Sequence, residues 1–525
     1  PSDAQQVNPL QWMILEAGTQ ALSEVRNIPK ESTSIILGAT GLGWQRDSGM
    51  RIRLEDMLDA VRDTDAFRAL PPSRRNELLE LTAQRLRERL KEVSEDNVVG
   101  ASASVACGRI NMHFDLKGLH YSVDAGFASS LAALDLAVRG LRDGEFDLAV
   151  TGGVSEMLTP LEMIAFSKMG GLSSQGLILP FSERADGTLL GEGVAILALK
   201  RLEDAERDGD TIYALVRGVG GSSDGRGKSL VAPRSEGQAL AMRRALEDAG
   251  VEPGSVQYVE CHATGTQVGD ASEVRALASV YTGAQTGSIA LGSVKANIGH
   301  LRAGAGAAGL LKAVLSLHHG QIPPQPGVEQ VNSKLELERT PFFVPHKAQP
   351  FRTGSVPRAA VSSFSFGGNN FHAVLEAYRP AGTPRKMAVA SSRPQQEPLA
   401  IIGLGGMFPG ASNVKDFWKR LLEGHDATRE IPKERWDIER YYDPDRKDKA
   451  YTKMGCFLDE LPKPSMEMRI PPAAWASLDP SHVLMLWCAD EALQDAGFAP
   501  DKWNRDRVGM SFAFLPYQGK KFLAD

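Results

Sequence analysis

Tyr-Ser-Val-Asp-Ala-Gly-Phe-Ala-Ser-Ser-Leu, residues 121 to 131, reads as a short strand, a sharp elbow of small residues and the start of a helix. A chain uses this arrangement to present a nucleophile at a helix N-terminus, where the dipole lowers a thiol pKa and free backbone N–H groups can hold an oxyanion. The apex residue is Phe127, and a benzyl group cannot attack a thioester. The position shaped for covalent chemistry therefore holds a side chain that cannot perform it.

Outward from the elbow, apolar residues Leu131, Leu134, Val138 and Leu141 mark a helix closed by Gly144, and residues 147 to 153 read as the next strand. Two histidines end later strand-like runs: His262 in Val-Glu-Cys-His-Ala-Thr-Gly-Thr (259 to 266) and His300 in Gly-Ser-Val-Lys-Ala-Asn-Ile-Gly-His (292 to 300). A Gly-Gly turn follows in Ser-Ser-Phe-Ser-Phe-Gly-Gly-Asn-Asn (362 to 370). The small residues beside each histidine let a substrate approach the backbone. Cys261, next to His262, points to the opposite face of its strand and reads as buried filler rather than as a replacement nucleophile. His318 and His319 before Gly320 fit a helix C-terminus, since neighbouring residues do not share a helix face.

In this order these motifs resemble a β-ketoacyl synthase of the thiolase-like superfamily, the condensing domain of fatty-acid and polyketide synthases, most similar to the iterative synthases of polyunsaturated fatty acids. Supporting stretches are residues 180 to 193, Pro-Phe-Ser-Glu-Arg-Ala-Asp-Gly-Thr-Leu-Leu-Gly-Glu-Gly, and residues 8 to 16, Asn-Pro-Leu-Gln-Trp-Met-Ile-Leu-Glu. The resemblance implies an α/β, thiolase-like layered α-β-α-β-α fold and a decarboxylative condensation of an acyl thioester with malonyl-carrier protein. In that family a cysteine stands where Phe127 stands here. The resemblance further implies that His262 and His300 assist decarboxylation and stabilise the enolate, and that Lys295 orients and polarises the site. It gives the backbone N–H groups of Phe127 and Phe366 to the oxyanion hole, Phe364 to gating of the acyl pocket, and Thr264 and Thr266 to the phosphopantetheine amides. Substrates would arrive on the phosphopantetheine of an acyl carrier protein, with no cofactor bound by the domain itself and no metal. The protein would be a homodimer or a pseudo-dimer with a second synthase-like domain. Loss of the cysteine leaves two other roles open: a chain-length-factor-like partner without catalysis, or a malonyl-carrier decarboxylase.

The layout also shows a repeat. Residues 8 to 22 align with 479 to 493, and a strand-like run follows each, at 34 to 39 and 508 to 514. The strand-like Leu-Ala-Ile-Ile-Gly (399 to 403) opens the second copy. The expected organisation is a synthase domain over 1–378 lacking its N-terminal start, a Pro- and Ser-rich linker over 379–396, and the N-terminal part of a second such domain over 397–525. Residues 73 to 93 read as an inserted amphipathic helix lying on the domain surface. Residues 401 to 410 begin like a dinucleotide-binding turn, but Phe408 takes the third glycine position and the reading fails.

Composition bounds the rest. The 525 residues are 42% hydrophobic and 24% charged, enough for a large core. A net charge of −6 gives no electrostatic reason to expect nucleic acid. No apolar run is long enough to span a membrane and no signal peptide opens the sequence, so a cytoplasmic protein is expected. Cys107, Cys261, Cys456 and Cys488 lack the spacing of a zinc site or a disulfide framework.

Overall fold

The computed structural model describes residues 8–40, 50–51, 53–90, 102–155, 157–227, 229–380, 398–445, 449–460, 462, 470, 475, 478–497, 504 and 507–513. The chain divides into two compact units, one of residues 1–44 and 94–390, the other of residues 45–93 and 391–525.

The first unit is built on two sheets. In the first, β1 (Thr33–Gly38) lies between β2 (His120–Val123) and β3 (Leu148–Ser155), both parallel to it, and β4 (Gly193–Lys200) pairs antiparallel with β3. In the second, β5 (Leu215–Ser223), β10 (Asn369–Glu376), β9 (Arg358–Phe364), β6 (Tyr258–Glu260), β7 (Ile289–Gly292) and β8 (Phe342–Phe343) follow one another across the sheet. Within it β7, β6 and β9 run parallel, and β10 is antiparallel to β9. The sequence β2-β1-β3-β4 in one sheet is thus repeated as β7-β6-β9-β10 in the other. β1 and β3 are buried along their whole length, their small polar residues Thr33, Ser34, Thr151 and Ser155 included.

Helices fill the space on and between the sheets. α1 (Pro9–Ser23) and α2 (Ala103–Phe114) pack on the first sheet through Leu10, Ile14, Leu22 and Ile110. Ser129–Asp143 (α3) and Ala305–His319 (α8) touch strands of both sheets and form the middle layer. Beyond α4 (Pro160–Lys168) and α5 (Leu202–Asp208), α6 (Ser235–Ala249) and α7 (Gln267–Val280) cover the second sheet around Met242, Leu246, Leu277 and Tyr281. The order of layers is helix, sheet, helix, sheet, helix. Middle-layer packing is close because side chains are missing where it matters: a Cβ on Gly153 would lie 2.6 Å from the Ser130 Cβ, and one on Gly306 2.8 Å from the Ser130 Oγ. The Ser130 hydroxyl instead accepts the Ala307 N–H at 2.9 Å and ties the two helices together. α3 and α8 end at Gly144 and Gly320, with φ of 68° and 66°, so both helix stops fall where the glycines in the sequence put them.

The second unit holds helices Leu54–Arg62, Pro72–Arg89, Val414–Leu422 and Pro480–Asp495. Helix Pro72–Arg89 is the inserted amphipathic segment. Its Leu79, Ala83 and Leu86 pack against Leu54 and Leu58, whereas Leu78, on the same face by its spacing, is exposed. This segment groups with 391–525 and not with the first unit, which corrects the expectation of a surface insertion. The repeat at 8 and 479 appears as the same helix start: Asn8 Oδ1 accepts the Leu10 N–H and Asp479 Oδ1 the Ser481 N–H, both at 2.9 Å, with proline first in each helix. No strand forms over 399–403 or 508–513, contrary to the apolar patterns there; Leu399 and Ile401 stay exposed with no neighbouring ladder to complete their hydrogen bonds. Residues 91 to 93 of the expected amphipathic helix, most of the expected linker and residue 514 lie outside the described residues. Among the described residues no helix is long and apolar enough to cross a membrane, and no group of side chains could hold a metal ion.

Candidate active site

The elbow forms as the sequence implies, and α3 begins two residues beyond its apex. Gly126 turns the chain with φ of 60°, a conformation that a side chain disfavours. Ser129 locks the turn by accepting the Ala125 N–H at 2.9 Å and donating to the Gly126 carbonyl at 2.5 Å. Ser363 donates to the Phe127 carbonyl at 2.8 Å. Phe127 is thereby held at the tip, where its ring meets His300 edge-on with centroids 4.8 Å apart, Phe366 at 5.0 Å and Phe166 at 6.1 Å. Phe166 lies on the helix Pro160–Lys168, and no motif in the sequence marks it.

His262 and His300 come together with ring centroids 5.4 Å apart. His300 is 2% exposed; its Nδ1 accepts the Arg302 N–H at 3.0 Å, so the neutral ring carries its proton on Nε2. That Nε2 is buried without a hydrogen-bond partner among the described residues, as is the Nδ1 of His262. Burial holds both imidazoles well below their ordinary pKa, and the charge of Lys295 pushes in the same direction. Both are neutral at pH 7. A neutral imidazole with an unused N–H, in a buried site, is equipped to donate to a developing negative charge. Arg302 adopts φ of 45°, unusual for a non-glycine residue, and its side chain reaches the Ser155 hydroxyl at 2.8 Å.

Lys295 is buried in the one-turn helix Lys295–Ile298. Burial lowers its pKa, opposed by the carboxylates of Glu260 and Glu273. Glu273 accepts the backbone N–H of His262 at 2.9 Å and of Ala263 at 2.8 Å, so it shapes the turn that carries the first histidine. It lies eleven residues from His262, on α7, and its only signal in the sequence is an acidic residue on a buried helix face. Phe364 is buried beside His262, with centroids 5.7 Å apart. The hydroxyls of Thr264 and Thr266 lie 3.1 Å from one another at the start of α7. Cys261 is buried, and burial raises its thiol pKa far above normal, as suits a core residue.

One of the two expected oxyanion donors differs from expectation. The Phe127 N–H is not open: it donates to the Ser365 Oγ at 2.8 Å. Gly126 makes this possible, since a Cβ there would lie 2.1 Å from that oxygen. Phe366 follows at the Gly-Gly turn and is 44% exposed. Phe127, Phe364, Phe366, His262, His300 and Lys295 are thus gathered in one place, and Thr264 and Thr266 sit on the turn leading away from His262. Ser365 stands within the Gly-Gly motif at 362 to 370 but nothing there marks its role, and Glu273 and Arg302 carry no motif of their own, so sequence reading passes over all three.

Comparison with known proteins agrees with this architecture. The family described as "Beta-ketoacyl synthase, N-terminal domain" matches residues 1–205 and 396–518, and "Beta-ketoacyl synthase, C-terminal domain" matches 213–329. A component of the phenolphthiocerol/phthiocerol polyketide synthase of Mycobacterium tuberculosis is 45% identical over 278 residues, 53% of this chain and 18% of that protein. A mycocerosic acid synthase-like polyketide synthase of Mycolicibacterium smegmatis is 44% identical over 279 residues, 53% of this chain and 13% of the relative. The chain therefore spans less than about a fifth of the length of these curated relatives. Among solved structures, the ketosynthase from module 6 of the bacillaene synthase of Bacillus subtilis superposes with a TM-score of 0.59 at 31% identity, covering 72% of this chain and 61% of that one. A structure titled PfaC Keto synthase-Chain length factor gives 0.78 at 27% identity, covering 94% of this chain and 51% of the other. The layered fold is thiolase-like, and the chain belongs to the β-ketoacyl synthase family.

Proposed function

We propose that the first unit is a ketosynthase-type domain of a polyketide or fatty-acid synthase that receives acyl groups on the phosphopantetheine of an acyl carrier protein. Condensation is blocked at its first step, because Phe127 offers no nucleophile to take the acyl chain. What remains is decarboxylation of a malonyl thioester. The C–C bond to the carboxylate breaks, carbon dioxide leaves, the electron pair moves onto the thioester oxygen as an enolate, and protonation of the α-carbon gives the acetyl thioester. Two neutral imidazoles, His262 and His300, would hold that enolate oxygen by hydrogen bonds, with Lys295 adding positive potential behind them. Thr264 and Thr266 would meet the phosphopantetheine amides, and Phe364 would gate the acyl pocket. The observation that carries the reading is the pair of neutral, adjacent histidines with unused nitrogen positions beside the elbow tip. The domain boundaries at 378 and 397, and a homodimer or pseudo-dimer with a second synthase-like domain, belong to the same reading.

The test is release of carbon dioxide from malonyl-carrier protein by the chain and by a His262→Ala, His300→Ala variant. Faster release by the unaltered chain supports a decarboxylase; equal rates reject it. A second reading, a chain-length-factor-like partner, is favoured by one feature: the Phe127 ring fills the space between His300, Phe166 and Phe366, and its amide is already occupied by Ser365. Equal rates would leave that reading standing.

A further inference from the structure

Behind the His262 turn, a line of buried polar groups runs through the second sheet. The Tyr281 hydroxyl, at the end of α7, lies 2.9 Å from His372 Nε2 on β10. His372 Nδ1 lies 3.0 Å from the Ser362 Oγ on β9, and Ser362 hydrogen-bonds the Glu273 carboxylate. Tyr281 and His372 are 0% exposed, Glu273 is 1% and Ser362 3%. Glu273 also accepts the backbone N–H groups of His262 and Ala263.

Chemistry fixes the direction of every proton in this line. Burial raises the pKa of Glu273, but the backbone N–H groups of His262 and Ala263, one at each oxygen, favour its ionised form; a carboxylate only accepts, so Ser362 donates to Glu273 and its oxygen is left to accept from His372 Nδ1–H. Burial pushes the His372 pKa down to about 3, so the ring is neutral and holds one proton. With that proton on Nδ1, Nε2 is bare and accepts from the Tyr281 hydroxyl. All the donors point toward Glu273. Such a chain in a dry interior polarises its members in one sense and is costly to break.

We propose that Tyr281, His372 and Ser362 form a positioning relay which, through Glu273, fixes the peptide that carries His262. None of the three reaches the site; they act on the histidine through the carboxylate, as supporting groups orient the ligands of a metal. The consequence for turnover rests on the function proposed above, but the relay itself does not.

Three measurements on the full chain test it. In protein labelled with nitrogen-15 histidine, His372 should be protonated at Nδ1, the less common tautomer; a proton on Nε2 would overturn the relay. By hydrogen exchange and mass spectrometry, peptides covering 261 to 264 should exchange at least about tenfold faster in Ser362→Ala and return to the original rate in Ser362→Thr, which keeps the hydroxyl. Unchanged exchange in Ser362→Ala would reject the proposal. Should that variant fail to fold, Tyr281→Phe removes only the distant hydroxyl, and its failure to speed exchange of the same peptides would count equally against it. If carbon dioxide release is measurable, Ser362→Ala should lower kcat and leave KM unchanged; a change in KM alone would reject the positioning role. If the chain releases none, the proposed function fails while tautomer and exchange still decide the relay.

Discussion

In a Phe127→Cys protein, the new thiol would sit at the start of α3 near two imidazoles, a setting that lowers its pKa and favours its acylation. Its backbone N–H would still be engaged by the Ser365 hydroxyl, 2.8 Å from it in the structure. For a thioester oxygen to use that N–H in the transition state, the hydroxyl must first give it up. A hydrogen bond of this kind has a net worth of about 0.5 to 1.5 kcal/mol, which corresponds to roughly a twofold to thirteenfold slower acylation. Adding Ser365→Ala to the Phe127→Cys protein should therefore raise its acylation rate by about that factor, while Ser365→Ala alone, with Phe127 in place, should give no adduct. Stability should move the other way, falling by about 1 kcal/mol or more as the N–H loses its partner. The assay is the appearance of the acyl adduct at position 127 by peptide mass spectrometry, with simple acyl thioesters as donors, alongside urea unfolding. Equal acylation rates with and without Ser365, in proteins whose stability differs, would refute the idea that this hydroxyl closes the oxyanion position.

Other consequences can be checked directly. His372 has its pKa pushed from an ordinary 6.5 to about 3 by burial, so the unfolded chain binds a proton there more readily than the folded one. Stability present above pH 6.5 is then lost as pH falls toward 3, up to roughly 5 kcal/mol, and His372→Gln should unfold with a visibly flatter acid dependence; parallel curves would contradict this. Because both site histidines are held neutral by the same cause, carbon dioxide release should stay level between pH 6 and 8, and a rate that halves near pH 6.5 would place an ordinary imidazole in the site. Gly306→Ala forces a Cβ to within 2.8 Å of the Ser130 Oγ and should cost about 1 to 3 kcal/mol in urea unfolding, whereas an effect within experimental error would show that the middle layer can give way. Asn8→Ala removes the cap of α1 and should cost about 1 kcal/mol by the same measurement.

Much of this is legible in the residues because local chemistry enforces it. The elbow at 121–131 needs small residues and a glycine with positive φ, and it has them. The helix stops at Gly144 and Gly320, the burial of Cys261 and the twin starts at Asn8 and Asp479 each follow from a preference acting over a few residues. What stays hidden depends on distant contacts. Ser365 reaches the Phe127 amide across 238 positions, and Glu273 holds the His262 turn from another element. No spacing rule announces either one. Leu399–Gly403 shows the reverse failure: its composition suits a strand, but a strand exists only where another edge meets it, and composition does not supply the edge. Helix Pro72–Arg89 is readable as amphipathic, yet the pattern does not say which unit its apolar face joins.

The two sheets share one strand order, and Phe127 follows β2 just as His300 follows β7. Each tip then runs into a middle-layer helix, and those helices are joined backbone to hydroxyl at Ser130 and Ala307 with glycines beneath. The distance between the two halves of the site is accordingly set by how closely these two helices approach, which the small residues Ser130, Gly153 and Gly306 allow. Divergence in such a molecule has one inexpensive route, which is to change the residue at the tip and leave the frame alone. A phenylalanine can stand at the elbow tip while the two helices behind it keep their packing, and by the same logic one substitution is enough to ask whether the frame supports chemistry.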